Sequence, residues 1–425
     1  MTELARRRAP ALGVDVQAAF NLVGELVRWL SLTFLYPAGI ALGYGEPVWP
    51  FLAAAAVSAA VGYGLELTTR GAEGVGPREG FLVITVLWAL VAALGSLPYL
   101  FSGEEQLGSP IDAYFESMSG FSGTSASVLT DVEGLDHSLL MWRSLTAWVG
   151  GLGILVLGLA VLPRLRVGGR QLFELDFPGP DLDPLAVTIR ETARRFVLLY
   201  VGLTFLCATA LTIVGWTGLD ERMHVFEAVA HSFGTLATAG FSTENESVSA
   251  FGAASQWVLV VFMFLAGTNF ALMYRAFIRG RPVAFMRDEE FRLYVFVLLA
   301  ASGLLLVELW TEGLARGGEA VRHGAFQAVS TMTTTGYASA DYNEWTFLAA
   351  VTIVALMFFG GSAGSTSGSL NVVRHVLIGK ILRRELELAV HPELVSPVRL
   401  NGRIVEDPAL RGVIVFVLLY VGCFA

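Results

Sequence analysis

Apolar residues along this chain are gathered into blocks. Long runs occupy 26–42, 48–67, 81–100, 139–162, 196–216, 257–277 and 293–309, and a shorter one at 348–359 continues into small residues. A helix needs roughly 20 apolar residues to cross the hydrocarbon core of a bilayer, so these runs predict membrane helices. Segments of another kind lie between them at 112–127, 225–242 and 324–338, half polar and rich in Ser, Thr and Gly. They are too short and too polar to span, yet each sits between a helix leading out and one leading back. Irregular backbone is tolerated at membrane depth only where it lines a cavity or is buried in protein, so they read as re-entrant pore loops.

The three loops fall into register. Nine residues before Ser125, Gly240 and Gly336 stand Glu116, His231 and Gln327, a polar side chain each time. The spacings, 240 − 125 = 115 and 336 − 240 = 96, fit one structural unit with connections of variable length. The expected architecture is an all-α polytopic membrane protein of helix–pore loop–helix repeats. Two leading membrane helices (1–78) precede a first repeat (79–168), a second (169–284), a third (285–390) and the start of a fourth (391–425). A helix opening at 410 is still inside its apolar run at 425, so the rest of the fourth repeat is expected beyond the chain.

Composition agrees. Of 425 residues, 54% are hydrophobic and 15% charged, against about 25% charged in soluble domains, which argues against a large soluble helical enzyme. The net charge of −9 matters less than its placement. Arginines gather in 70–78, 164–195, 275–292 and 374–403, and carboxylates in 104–105, 131–136, 220–221, 244–246 and 341–344. Cationic connections stay in the cytoplasm, and the alternation holds at every step with the N-terminus inside. That phase favours topology over nucleic-acid binding as the cause of the basic clusters. Arg6, Arg7 and Arg8 precede an apolar stretch too long for a cleavable signal and without a small-residue cleavage site. Cys207 and Cys423 both lie in apolar runs, which gives no support to a disulfide framework or a cysteine metal site. No GxxxxGK[ST] or HExxH motif is present, which argues against an ATP-driven pump within the chain.

The sequence Thr333-Thr334-Thr335-Gly336-Tyr337-Ala338-Ser339-Ala340-Asp341-Tyr342 resembles the third pore loop of the Trk/Ktr/HKT superfamily of cation transporters, the TrkH branch above all. His231-Ser232-Phe233 with Ala237-Thr238-Ala239-Gly240-Phe241-Ser242 resembles the second loop. Asp112-Ala113-Tyr114-Phe115-Glu116-Ser117 with Ser119-Gly120-Phe121 resembles the first, and the two extra N-terminal helices match the same layout. The resemblance implies four repeats arranged pseudo-four-fold around a central pore, with K⁺ held at a filter of one loop from each. In this chain the filter residues would be Ser122, Gly123, Thr124 and Ser125; Thr238, Ala239, Gly240 and Phe241; and Thr334, Thr335, Gly336 and Tyr337. The chemistry is coherent: a dehydrated K⁺ needs a ring of oxygens, which backbone carbonyls supply. Gly permits the dihedrals that turn them inward, and each pore helix aims its negative end at the cavity.

Ser125 departs from the pattern, because most TrkH-like proteins carry Gly there and Na⁺-favouring plant HKT members carry Ser. Either it relaxes K⁺ selectivity, or one Ser among the filter segments is tolerated with its hydroxyl turned from the ion. K⁺ is the favoured ion. Gly360-Gly361-Ser362-Ala363-Gly364-Ser365-Thr366-Ser367-Gly368 interrupts the second helix of the third repeat. Gly360, Gly364 and Gly368 fall four apart, as in a close helix-packing seam, but so many small residues exceed what a seam requires, and Gly is costly inside a helix. The resemblance implies an intramembrane gate loop, with Asn371 and Arg374 as gating candidates beyond it; a charge at a helix end also snorkels or marks topology. Glu116, His231 and Gln327 are expected to hold the pore helices by hydrogen bonds, direct ion contact or pH sensing being the alternative. Asp341 is either a cation-concentrating group at the mouth or an ordinary solvated carboxylate.

The leading function is a gated K⁺ uptake channel or transporter of the cell (inner) membrane, without an organic cofactor in this chain. The resemblance also implies a homodimer and a cytoplasmic nucleotide-binding partner of the TrkA type. The alternatives are a Na⁺-permeable channel, a secondary transporter with a mid-membrane substrate site, and a membrane-embedded enzyme using Glu116 or His231 as acid or base.

Overall fold

The computed structural model describes residues 15–70, 77–161, 185–394 and 396–424. Arg6, Arg7, Arg8, Arg164, Arg166 and Arg170, read above as cytoplasmic charge, lie outside the described residues. In chain order the helices are α1 (Val16–Leu30), α2 (Leu35–Tyr44), α3 (Trp49–Thr68), α4 (Pro77–Gly95), α5 (Leu97–Ser102), α6 (Pro110–Ser122), α7 (His137–Val161) and α8 (Leu185–Trp216). They continue as α9 (Val225–Ala237), α10 (Ala253–Ala266), α11 (Phe270–Ile278), α12 (Val283–Arg287), α13 (Glu289–Thr311), α14 (Gly318–Met332), α15 (Phe347–Phe359), α16 (Val372–Val390) and α17 (Asp407–Phe424). A short hairpin, β1 (Arg399–Leu400) with β2 (Arg403–Ile404), joins the last two.

The protein is an all-α membrane protein. Among the described residues seven helical stretches are long and apolar enough to cross a membrane. Large apolar side chains that no other part of the chain covers, such as Leu42, Phe205, Leu299 and Phe347, mark the lipid-facing side. The first stretch runs from Val16 to Tyr44 and so begins ten residues before the apolar run at 26. Asp15 caps it by accepting from the Ala18 amide at 3.0 Å, and Arg28, which interrupts the apolar pattern, pairs with Glu66 of α3 at 2.9 Å.

One finding refines the sequence reading. The run 257–277 is not one straight helix: α10 and α11 meet at 99° across Gly267, Thr268 and Asn269. Asn269 ends one helix and starts the next, its Oδ1 accepting from the Leu272 amide at 3.0 Å. The second helix of the third unit stops where the run of small residues predicts an interruption. α15 closes at Phe359, and 360–371 run without helix until α16, which removes the helix-packing seam as an account of Gly360, Gly364 and Gly368.

Two apolar clusters organise the interior. One joins α1–α7 around Trp142, which stacks on Phe34 at 4.5 Å and donates its indole N–H to the Gly95 carbonyl at 2.9 Å. The other joins α8–α16 around Tyr200, Tyr294, Phe270 and Phe326. The short helices α6, α9 and α14 lie buried within this frame.

Candidate ion-conduction site

The three pore-loop segments begin alike. A left-handed residue follows each pore helix at one register position, directly after α6 and α9 and one residue further on after α14: Gly123 at φ 75°, Thr238 at φ 51° and Thr334 at φ 58°. Two residues on, Ser125 at φ 54° and Gly336 at φ 85° are left-handed as well. A β-branched residue at positive φ is an outlier for an L-amino acid, and such strain persists where the surrounding structure over-determines it, commonly at functional sites.

The amides of each loop fold back onto their own helix. Thr124 and Ser125 donate to the Ser119 carbonyl at 3.0 and 3.2 Å, Ala239 to Gly234 at 2.8 Å, and Thr335 and Gly336 to Ser330 at 2.9 and 3.3 Å. With the N–H groups so occupied, the carbonyls of 123–125, 238–240 and 334–336 accept no hydrogen bond from any described residue. Backbone carbonyls in a protein interior are normally paired, and a run of free carbonyl oxygens from each of three adjacent loops is chemistry able to stand in for a cation's hydration shell.

The next carbonyl is tied off in all three loops. Ser119 Oγ donates to the Ala126 carbonyl at 2.6 Å, and Ser330 Oγ does the same to Tyr337 at 2.7 Å. The equivalent residue in the second loop is Gly234, where a Cβ would stand 2.4 Å from the Tyr337 hydroxyl. That hydroxyl, reaching across from the third loop, donates to the Phe241 carbonyl at 3.2 Å. The loops also touch directly, since a Cβ on Gly240 would lie 2.4 Å from the Thr335 carbonyl oxygen.

Two of the three pore-helix polar residues hold their loops from behind. Glu116 accepts from the Ser127 hydroxyl at 2.9 Å and the Val128 amide at 3.2 Å, and His231 Nε2 sits 3.0 Å from the Ser242 hydroxyl. Gln327 does not, because Ala338 stands where those serines are; its amide donates to Thr331 at 3.3 Å within its own helix. Sequence reasoning missed Arg143, which α7 buries beside Glu116 with Nε–Oε1 at 2.8 Å. The signal was there, a single arginine inside an apolar run, but nothing along the chain pointed to its partner. Ser125 keeps its hydroxyl buried with no partner among the described residues.

The segment 360–371 lies under these loops and is stitched to them. Thr334 Oγ1 accepts the Gly368 amide at 2.9 Å and lies 3.3 Å from the Ser367 hydroxyl. Thr366 Oγ1 donates to the Leu236 carbonyl, at the end of α9, at 3.0 Å. The break between α10 and α11 receives the other side: Ser362 donates its amide to the Gly267 carbonyl at 2.8 Å, Asn269 Nδ2 to the Ala363 carbonyl at 2.5 Å, and the Phe270 amide to Gly364 at 3.0 Å. Glu290, buried at the start of α13, accepts from the Ala363 amide at 2.6 Å and the Val373 amide at 3.1 Å with one oxygen. Gly361 and Ser365 complete the turn, the Gly361 amide donating to Ser367 and the Ser365 hydroxyl to Ser362. Gly360 begins it at φ 69°. Beyond it Asn371, at φ 63°, accepts from Arg374 at 2.7 Å, and the Arg374 guanidinium lies 4.4 Å over Phe416 of α17.

On the outer side Asp341 closes a turn by accepting from the Asn343 amide at 2.9 Å. Glu244, four residues past Gly240, has its carboxyl raised above the ordinary range, first by burial and then by the Glu133 carboxylate, with Arg222 opposing and Glu227 adding. Asn245 binds that neighbourhood together, its amide donating to Glu133 at 3.0 Å and its Nδ2 to Asp131 at 3.2 Å.

Comparison with known proteins places this geometry. A family model described as TrkH, cation transport protein, matches residues 50–425. The Trk system potassium uptake protein TrkH of Salmonella typhimurium is 35% identical over 403 residues, which is 93% of this chain and 82% of that protein. TrkH of Halomonas elongata is 34% identical over 418 residues, covering 97% of this chain and 84% of the other. The crystal structure of the potassium transporter TrkH from Vibrio parahaemolyticus matches with a TM-score of 0.84 at 30% identity, over 96% of this chain and 85% of that one. These relatives are transporters, which removes the membrane-embedded enzyme reading of Glu116 and His231.

Proposed function

Because this chain belongs to the TrkH family of cation transport proteins, we propose that it conducts K⁺ through a filter formed by 122–125, 238–241 and 334–337, gated from below by 360–368. The observation that carries this reading is the set of backbone carbonyls at 123–125, 238–240 and 334–336, which accept no hydrogen bond from a described residue, in loops whose amides at 124, 125, 239, 335 and 336 fold back onto their own helices. Such oxygens replace the hydration shell of a monovalent cation at little cost because the strain that orients them is already built into the fold. The segment 360–368 supports the gate role because it is non-helical, hydrogen-bonded to the filter through Thr334, and seated against a second broken helix. Asn371 and Arg374 hold its exit. The protein works in the cell inner membrane with its N-terminus cytoplasmic, as a homodimer regulated by a nucleotide-binding subunit of the TrkA type.

Na⁺ permeation is the second reading, and Ser125 is the observation behind it. The test is K⁺ and Na⁺ flux into proteoliposomes by the full-length protein, alone and with Ser125→Gly. Preference for K⁺ in both supports the K⁺ reading. Comparable Na⁺ flux that Ser125→Gly abolishes makes Ser125 the determinant, and no flux of either ion with the regulatory subunit present overturns the channel reading.

A further inference from the structure

Arg143 has no role in the reading above, yet its guanidinium joins the first and second loops from behind. It lies on α7, with 3% of its side chain exposed, against a Glu116 side chain at 0%. Nε donates to Glu116 at 2.8 Å, one terminal nitrogen to the Ser127 hydroxyl at 3.3 Å, and the other to the Ser242 carbonyl, two residues past Gly240, at 3.3 Å. The guanidinium also stands 4.3 Å over the Phe241 ring, where a cation meets the negative face of the π-system.

Burial of an ion pair is weak evidence for stability, since apolar residues of similar volume commonly serve as well. What an apolar pair cannot do is reach three acceptors in fixed directions, and among cationic side chains only the planar arginine fork does so. The acceptors belong to two repeats: Glu116 and Ser127 to the first, Ser242 and Phe241 to the second. The second loop is gripped from its far side by Tyr337, whose hydroxyl takes the Phe241 carbonyl. The Phe241 and Ser242 carbonyls are thus each taken by a side chain of a neighbouring repeat. His231, the polar residue of the second loop's own pore helix, reaches only the Ser242 side chain.

We propose that Arg143, positioned by Glu116, is a specificity-determining residue: it fixes the distance between the ion-facing carbonyls of the first and second loops and so sets the discrimination between K⁺ and Na⁺. The inference rests on the filter reading above. On a size-based account of selectivity a filter rejects the smaller ion while its oxygens resist closing around it, and the Arg143 bridge supplies that resistance between these two loops. Lysine carries the same charge without the fork, so Arg143→Lys keeps the pairing with Glu116 and releases Ser242.

The experiment measures the Na⁺-to-K⁺ permeability ratio of full-length protein in proteoliposomes for wild type, Arg143→Lys and the apolar double variant Glu116→Leu/Arg143→Met. The double variant leaves no unpaired buried charge and guards against misfolding of the single one. A ratio raised about tenfold in either variant, the equilibrium weight of one hydrogen bond to a charged group, is the expected result. A merely structural role lowers flux of both ions together through loss of folded protein and leaves the ratio where it was. Wild-type ratios in both variants, with flux retained or lost in proportion to folded protein, overturn the proposal and leave the channel reading standing. Absence of cation flux in the wild type overturns both.

Discussion

Replacing Glu290 with Gln tests whether 360–371 is held shut from the cytoplasmic side. One carboxylate oxygen accepts the Ala363 amide at 2.6 Å and the Val373 amide at 3.1 Å, one from within the loop and one just after it. A hydrogen bond to a charged group contributes about 1.5–3 kcal/mol net and a neutral one about 0.5–1.5. Gln is nearly isosteric and keeps one acceptor, so the change weakens two bonds by about 1 kcal/mol each rather than deleting them. If those bonds exist only while the loop is seated, about 2 kcal/mol shifts the open-to-closed equilibrium by roughly 30-fold. Channel recordings in planar bilayers read the open probability. Thiol labelling of a Ser365→Cys background reads loop exposure, Ser365 being buried when the loop is seated. Both are expected to rise. An unchanged open probability together with unchanged labelling would refute the latch, because it would mean that Glu290 holds the same bonds in both states.

Gly240→Ala is expected to abolish flux, since the new Cβ would stand 2.4 Å from the Thr335 carbonyl oxygen and 2.9 Å from the Gly336 carbonyl carbon; tracer uptake by reconstituted protein checks this. Tyr337→Phe removes the donor to the buried Phe241 carbonyl, a loss of about 1–3 kcal/mol. It should lower the thermal unfolding temperature in detergent and raise Na⁺ permeation, and retention of both wild-type values would count against the clamp. The carboxyl of Glu244 is raised by burial and by Glu133, so it stays neutral to higher pH than an ordinary glutamate and gains its charge only above that raised value. Cation flux at low ionic strength should therefore fall as external pH drops through this range, and Glu244→Gln should flatten that part of the profile.

The membrane helices and the three loops were legible in the sequence because each rests on a local signal: an apolar run of bilayer length, or a polar, Gly-rich interruption at a fixed offset. The chain also showed that 360–368 could not be an ordinary helix. What it did not show depends on contacts between distant segments. The bend at Gly267–Asn269 was hidden inside an apolar run, and its partners come from the next unit: the amides of Ser362 and Thr366 donate to the Gly267 and Ala266 carbonyls, and the Gly364 carbonyl accepts the Phe270 amide. Arg143 and Glu116 stand 27 residues apart on different helices. Gln327 matched its counterparts by position, but its binding partner is missing because residue 338 is Ala, so a shared offset did not mean a shared contact.

Those differences bear on why three unequal repeats make one site. The backbone template is common: a helix end, a left-handed step, amides folded back, then one carbonyl tied off. The side chains that enforce it are not. The tie is a serine of the same helix in the first and third loops and a tyrosine of the neighbouring loop in the second. Behind the loops stand a carboxylate with an arginine, a histidine-to-serine contact, and an amide that stays within its helix. A ring of identical subunits must hold every segment by the same bond. A ring built from one chain is free to let each loop depend on its neighbours, and the second loop here does so on both sides. On the proposed filter reading, residues of the first and third repeats help set its geometry, and a change at Arg143 or Tyr337 is then expected to act on Gly240 without touching an ion. Ser125 belongs to the same argument. It adopts the left-handed turn that Gly336 adopts in the third loop, so its cost is conformational strain of about 1–2 kcal/mol, and its backbone oxygens remain where the template puts them.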